Sequence, residues 1–197
     1  MIPDLSASTG AWRRRKVVGF SGPISTGKTT AARLLEEWGF YYSRYSLILA
    51  EMLREGGLPA GRKALQQLGE QVHKDPGQRW LCWQLVRDLP ENQDVVIDGL
   101  RHPEDHAFMI ESFGPTFTHV YIDSPTHALL DRFILDGGSQ DDFARAMQRP
   151  VEANVGRLAA LAHTVVRNCG TLDEFRQKVL ARIQTSQAKN RRRRTCR

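Results

Sequence analysis

The stretch Lys16–Thr30, KVVGFSGPISTGKTT, decides how the rest of the chain is read. Val17, Val18 and Phe20 make an apolar strand that runs straight into Gly22-Pro23-Ile24-Ser25-Thr26-Gly27-Lys28-Thr29, a full match to G-x-x-x-x-G-K-[ST]. A compact cluster of negative charge is best met by backbone N–H groups curled around a helix N-terminus. Glycine permits that curl, so Gly22 and Gly27 stand where a Cβ would clash. In this pattern Ser25, Thr26, Gly27 and Thr30 complete the phosphate cradle. Lys28 reaches the β- and γ-phosphates of a nucleoside triphosphate, and the Thr29 hydroxyl ligates Mg²⁺. Downstream, Ala31, Leu34, Leu35 and Trp38 share one helical face, and Gly39 ends the helix. A phosphate-binding loop between a strand and a helix is expected, with ATP and Mg²⁺ as cofactors.

Working outward, the 197 residues suit one domain with a five-stranded sheet covered on both faces. Apolar residues at 41% and charged residues at 25% are ordinary for a globular chain. No apolar run approaches the roughly 20 residues of a membrane-spanning helix. The opening MIPDLSASTGAWRRR has basic residues but no apolar stretch after them, so residues 1–15 read as a disordered arm rather than a secretory signal. Cys82, Cys169 and Cys196 are odd in number and share no C-x-x-C spacing, which indicates neither a disulfide framework nor a zinc site and makes a reducing cytoplasm the expected compartment. His102 and His106 would share a helix face, yet no third ligand lies near them in sequence, and surface histidines are the plainer account. The net charge of +6 equals the contribution of Lys189, Arg191, Arg192, Arg193, Arg194 and Arg197, so residues 1–188 sum to zero. A basic tail at 187–197 either contacts nucleic acid or anionic lipid through phosphates or is a solvated, disordered terminus. The absence of interleaved aromatic residues favours the second.

Past Gly39 the chain alternates. Phe40–Tyr42 makes a short strand, and helices follow over 47–55, 62–73 and 78–89, broken by Gly56–Gly61 and by Asp75-Pro76-Gly77. Trp80 and Trp83 belong to the core. These helices form an insertion, residues 46–90, above the sheet. DVVID at 94–98 is a buried-type strand ending in a carboxylate, and Pro103 starts the next helix. TFTHVYID at 116–123 is a strand, a helix holding Leu129, Leu130, Phe133 and Ile134 follows, and residues 136–150 form a charged, arginine-bearing flap. A helix over 151–161, a strand over 163–166 and a helix over 172–183 complete a body spanning 16–186. Strand–helix repetition of this kind makes an α/β, three-layer fold around a mostly parallel sheet.

Four features join the loop. Asp98, at a strand's carboxyl end, suits a carboxylate that organises Mg²⁺ together with Thr29. Arg101, three residues on, offers a planar fork for a second phosphate. Arg132, Arg145 and Arg149 lie in or beside the flap and are candidates to neutralise charge during phosphoryl transfer, with Arg145 or Arg149 reaching in from the flap itself. The turn Asn168-Cys169-Gly170-Thr171 is placed to border a nucleotide base.

The set GPISTGKTT, VVIDGLRHPED, the arginine-bearing flap and VVRNCGTLDEF resembles the P-loop nucleotide kinases, in particular the group holding dephospho-CoA kinases and deoxynucleoside monophosphate kinases, over Lys16 to Ile183. The resemblance implies that Arg101 grips the acceptor's phosphate, that Arg132 is the first lid arginine, and that Asn168 to Gly170 lie at the base edge. It also implies that the helices over 47–89 bind the acceptor, with Arg54, Arg62 and Gln66 as contacts. Two departures stand out. Where dephospho-CoA kinases carry Asp-x-Asp to activate a hydroxyl, this chain has Tyr42-Ser43-Arg44-Tyr45-Ser46, which leans toward an acceptor that is already a phosphate. A second lid arginine is replaced near Asp136, leaving that task to Arg145 or Arg149. The expected activity is transfer of the ATP γ-phosphoryl group to a small (deoxy)nucleoside monophosphate-like acceptor. The alternatives are a hydroxyl kinase of the dephospho-CoA kinase type, or an ATP-binding switch acting on a macromolecular partner.

Overall fold

The computed structural model describes residues 15–195, without the side chain of Arg62 and those beyond residue 184. Five strands form one wholly parallel sheet in the order β2-β3-β1-β4-β5: β1 (Val17–Ser21), β2 (Tyr41–Arg44), β3 (Val95–Leu100), β4 (Phe117–Asp123) and β5 (Thr164–Arg167). The central β1 is buried along its whole length, as an apolar strand covered on both faces must be. Its alternation divides the core. Val17 faces a cluster with Ile97, Leu100, Phe108, Met109 and Leu158, while Val18 and Phe20 face Leu35, Val96, Ile122, Phe175 and Val179.

The helices follow that division. α1 (Lys28–Glu37) and α9 (Leu172–Thr195) supply the second cluster, whereas α5 (Pro103–Phe113) and α8 (Pro150–Leu161) cover the first. The insertion consists of α2 (Tyr45–Glu55), α3 (Arg62–Val72) and α4 (Gln78–Arg87), and it extends the first cluster through Leu49, Val72, Leu81 and Leu85. Trp80 and Trp83 pack on that cluster half-buried. α6 (Thr126–Leu135) and α7 (Gln140–Met147) make a small separate core in which the Phe133 and Phe143 rings meet edge-on at 5.6 Å. Among the described residues no helix is long and apolar enough to cross a membrane.

Several expectations need correcting. Trp38 leaves the apolar face of α1, because the helix ends at Glu37 and turns at Gly39, and its side chain is 56% exposed. The flap at 136–150 is not one loop: Ser139 accepts a hydrogen bond from the Asp142 amide and so starts α7. The basic tail does not begin as unstructured chain. No glycine or proline interrupts Leu172–Thr195, and α9 runs through it, with 196–197 outside the described residues. Of the expected disordered arm, residues 1–14 lie outside the described residues, but Arg15 is buried with its guanidinium over the Phe113 ring. The histidines are not simply on the surface. β4 is covered on both faces, so His119 is wholly buried, its Nε2 2.6 Å from the Ser21 hydroxyl and its Nδ1 3.0 Å from the His106 ring. Burial, with His106 and His163 adding to it, drives the His119 pKa down to about 3, so the ring is neutral. His102 and His106 diverge, since His102 precedes α5 and stacks on His73 with ring centroids 4.1 Å apart.

Candidate active site

β1 lies between β3 and β4, consecutive strands that fall on opposite sides of it, so the strand order switches direction there, and the loop leaves the carboxyl end of β1 where such sheets open a crevice. Gly22 has φ +143°, and a Cβ there would run into the Ile122 carbonyl oxygen of β4, so the turn admits no side chain. Thr26 Oγ1 donates to the Pro23 carbonyl at 3.0 Å, and Asn168 Nδ2 donates to the Thr26 carbonyl at 2.8 Å, which pins the loop from the end of β5. α1 begins with no side-chain cap and no acidic residue in its first turn. Its first N–H groups are thus left to an anion, and the helix dipole favours one there.

Lys28 turns back over this cradle with Nζ 2.6 Å from the Pro23 carbonyl oxygen, and it is 8% exposed. Burial lowers its pKa to about 7 and the Arg101 charge adds to the effect; Asp98 and Glu152 oppose it, and Arg44 lowers it further. A cation that the protein leaves this poorly solvated is a strong partner for a phosphate. The Thr29 hydroxyl donates to Asp98 Oδ2 at 2.8 Å, and the Tyr42 hydroxyl donates to the same oxygen at 2.9 Å. Thr29 and Asp98 therefore present hard oxygen ligands side by side, the donor chemistry Mg²⁺ prefers. Among the described residues no group of three or more His, Cys, Asp or Glu could hold a metal, so an ion here would rely on phosphate and water for its remaining ligands.

Asp98 does not end its strand, as the sequence suggested. β3 continues to Leu100 through an irregularity in which Phe20 pairs with Asp98 and Ser21 with Leu100. The extra residue is Gly99 at φ +87°, a conformation that suits glycine, and this bulge re-aims the strand end. Arg101 emerges just beyond it and donates from Nη1 to Glu152 Oε1 at 2.8 Å. Its main chain is held as firmly. Asp105 Oδ2 accepts from the Arg101 and His102 amides at 2.7 and 2.9 Å, while Asp105 Oδ1 accepts from Gln78 Nε2 and from Cys82 Sγ on α4. Burial and the Asp105 charge push the Cys82 thiol well above its usual range, so it is an inert structural group. Asp105 is fully buried, and Asp105→Ala would strand four donors; we expect it to lower stability by about 3 kcal/mol, read as the shift in urea midpoint.

Arg44, Tyr42, Glu152 and Asp105 are site residues that the sequence reading missed. Arg44 was seen only as a missing carboxylate, yet it pairs in register with Asp98 and brings Nη1 to 4.0 Å from Asp98 Oδ2. Other expected residues scatter. Arg132 lies beside the loop, donating to Ser124 Oγ and the Asn168 carbonyl at 3.0 Å and to the Ser25 carbonyl at 3.4 Å. Arg145 points outward, because its position on α7 lets it pair with Asp142 at 2.7 Å; it is 70% exposed. Arg149 is half-buried and precedes α8. Arg54 is exposed near the far end of α2, about 15 Å along its axis from Arg44 at 1.5 Å per residue. Gln66 is half-buried on α3, which Arg62 begins. Thr30 is exposed on α1. Gly170 is exposed in the turn before α9, which Thr171 and Glu174 cap reciprocally. A cavity of about 230 Å³ between α2 and α4 is lined by Glu51, Glu55 and Asp88 against a single cation, Arg87, an excess of negative charge that does not suit a phosphate.

No family model matches the chain. The UPF0200 protein of Pyrobaculum aerophilum is 26% identical over 170 residues, covering 83% of this chain and 94% of that protein. The dephospho-CoA kinase of Carboxydothermus hydrogenoformans is 25% identical over 199 residues, covering 85% and 93%. Among solved structures, a shikimate kinase from Bacteroides thetaiotaomicron superimposes with a TM-score of 0.58 at 15% identity over 86% of this chain and 98% of its own, a likeness of fold. The chain has the P-loop kinase fold and resembles the dephospho-CoA kinase group in sequence.

Proposed function

We propose that this protein is an ATP-dependent phosphotransferase that moves the γ-phosphoryl group to a small acceptor already bearing a phosphate, a (deoxy)nucleoside monophosphate first of all. The observation that carries this reading is the gathering of two arginines, Arg44 and Arg101, near Lys28. Lys28 lies in the phosphate cradle, Arg44 stands at the end of β2 and Arg101 follows the β3 bulge, with both arginines near enough to depress the Lys28 pKa. One lysine suffices to hold a triphosphate. Two further arginines beyond it fit a second anion, and a guanidinium fork matches a phosphate better than an ammonium does.

In this scheme the loop amides and Lys28 bind the β- and γ-phosphates, and Arg101 with Arg44 orients the acceptor in line. Mg²⁺, held by Thr29 and Asp98, would neutralise charge on the β- and γ-phosphates. An acceptor phosphate oxygen is already anionic and needs positioning more than deprotonation. A hydroxyl kinase of the dephospho-CoA kinase type is the second reading, supported by the 25% identical relative. It asks for a general base, and Asp98 is already engaged by Thr29 and Tyr42. A panel of nucleoside and deoxynucleoside monophosphates plus dephospho-CoA, with MgATP, separates the two by the product that forms alongside ADP. Arg101→Lys is expected to raise the acceptor KM about 30-fold with little change for ATP. Acceptor-independent, slow ADP release would instead favour a nucleotide-controlled switch.

A further inference from the structure

The tip of Arg101 is held by a residue of α8. Glu152 sits in the first turn of α8, 51 residues along the chain, where the helix dipole favours a carboxylate. Its side chain is only 7% exposed, while that of Arg101 is 35% exposed. One oxygen, Oε1, accepts a hydrogen bond from Arg101 Nη1. The other, Oε2, is buried with no hydrogen-bond partner. A carboxylate oxygen kept dry and unshared is costly to the fold, and such groups persist where they serve a function. Here the benefit is directional. Glu152 occupies one donor of the guanidinium and Asp105 fixes the main chain at its root, while four donors of the partly exposed fork have no hydrogen-bond partner among the described residues.

Resting on the acceptor site proposed above, we infer that Glu152 is the positioning residue for Arg101, holding its fork for a phosphate-like dianion. Glu152 does not touch the reacting atoms in this scheme; it acts through Arg101. A carboxylate that orients a guanidinium is worth a charge-assisted hydrogen bond, which sets the size of the effect.

The test uses Glu152→Gln, which keeps the shape and removes the charge, with Glu152→Asp as the conservative variant. Two readouts are paired. In the first, the thermal stabilisation produced by inorganic sulfate is measured with saturating MgADP, and the part that Arg101→Ala abolishes is assigned to Arg101. In the second, KM is measured for dAMP, dGMP, dCMP and dTMP against fixed MgATP, and for ATP in turn. Glu152→Gln should lose most of the Arg101-dependent sulfate shift and raise the KM of whichever monophosphate is turned over by about tenfold. Below pH 7, where Lys28 keeps its charge, the KM for ATP should stay within about twofold, and the unfolding temperature should stay close to that of the wild type, because the amide sheds the desolvated charge but keeps a polar atom without a partner. Glu152→Asp should fall between, and Glu152→Gln should add nothing in an Arg101→Ala background.

A Glu152→Gln protein with the wild-type sulfate shift and KM overturns the inference and leaves the kinase reading standing. So does a general loss, in which stability and both KM values worsen together, since that marks a structural role. A wild-type protein that turns over no monophosphate and gains nothing from sulfate removes the acceptor-site reading, and this inference with it.

Discussion

Lys28→Ala should lower turnover by about 10³-fold while the protein folds normally, measured as ADP and phosphorylated product formed under MgATP with the best acceptor of the panel. The lysine is buried in the cradle at the N-terminus of α1, and among the described residues its side chain hydrogen-bonds only to the Pro23 carbonyl. Removing it costs the fold little and relieves the burial of an amine whose charge the surroundings disfavour. Near-normal rates in this variant would sink the proposed mechanism. The same lysine predicts a proton linkage. With its pKa lowered to about 7 in the protein, Lys28 is largely neutral above that pH, and a bound polyphosphate restores its charge. Nucleotide binding at pH 8 should therefore take up a proton, and affinity should fall as pH rises from 7. Calorimetry in buffers of different ionisation enthalpy reads this directly, and Lys28→Ala should abolish the uptake. For stability the sign is opposite. The unfolded chain keeps the lysine protonated up to its ordinary value near 10.5, so between pH 7 and that value it binds the extra proton and the nucleotide-free fold gains stability as pH rises.

The second large effect is expected at Asp98, where Asp98→Asn should reduce turnover by about 10²-fold or more and raise the Mg²⁺ concentration needed for half-maximal rate. Asp98 Oδ2 accepts from both Thr29 and Tyr42 and faces Arg44, so one carboxylate serves the metal side and the arginine side of the site together. An amide can keep a carbonyl toward the Thr29 and Tyr42 hydroxyls, but it loses the charge that draws a hard cation. A Mg²⁺ dependence unchanged from wild type would remove Asp98 from the metal's neighbourhood.

The parts of this molecule legible in its sequence are those governed by local physics. The glycine pattern of Gly22 to Lys28 and the apolar strand before it act over one turn of chain, and strand–helix alternation required a parallel sheet. Trp38 misled because one residue of helix more or less moves a side chain from the core to solvent. The burial of His119 was not legible because a polar residue in a strand gives no sign of its surroundings, whereas helices cover both faces of a parallel sheet. The least legible residues are those whose roles depend on packing between distant elements. Glu152 meets Arg101 across 51 residues, and Gln78 and Cys82 meet Asp105 across 27 and 23, separations over which no periodicity or motif carries information.

The amide protons of Arg101 and His102 end on Asp105 rather than on a neighbouring strand, and the same carboxylate is anchored to α4 through Gln78 and Cys82. Detaching the insertion from the sheet therefore loosens the grip on these two amides, so their exchange with deuterium acts as a gauge of how often α4 swings away. A slow, shared exchange rate at Arg101, His102 and the amides of α4 would describe one cooperative opening unit, with the entrance to the crevice and the aim of Arg101 governed by a single equilibrium.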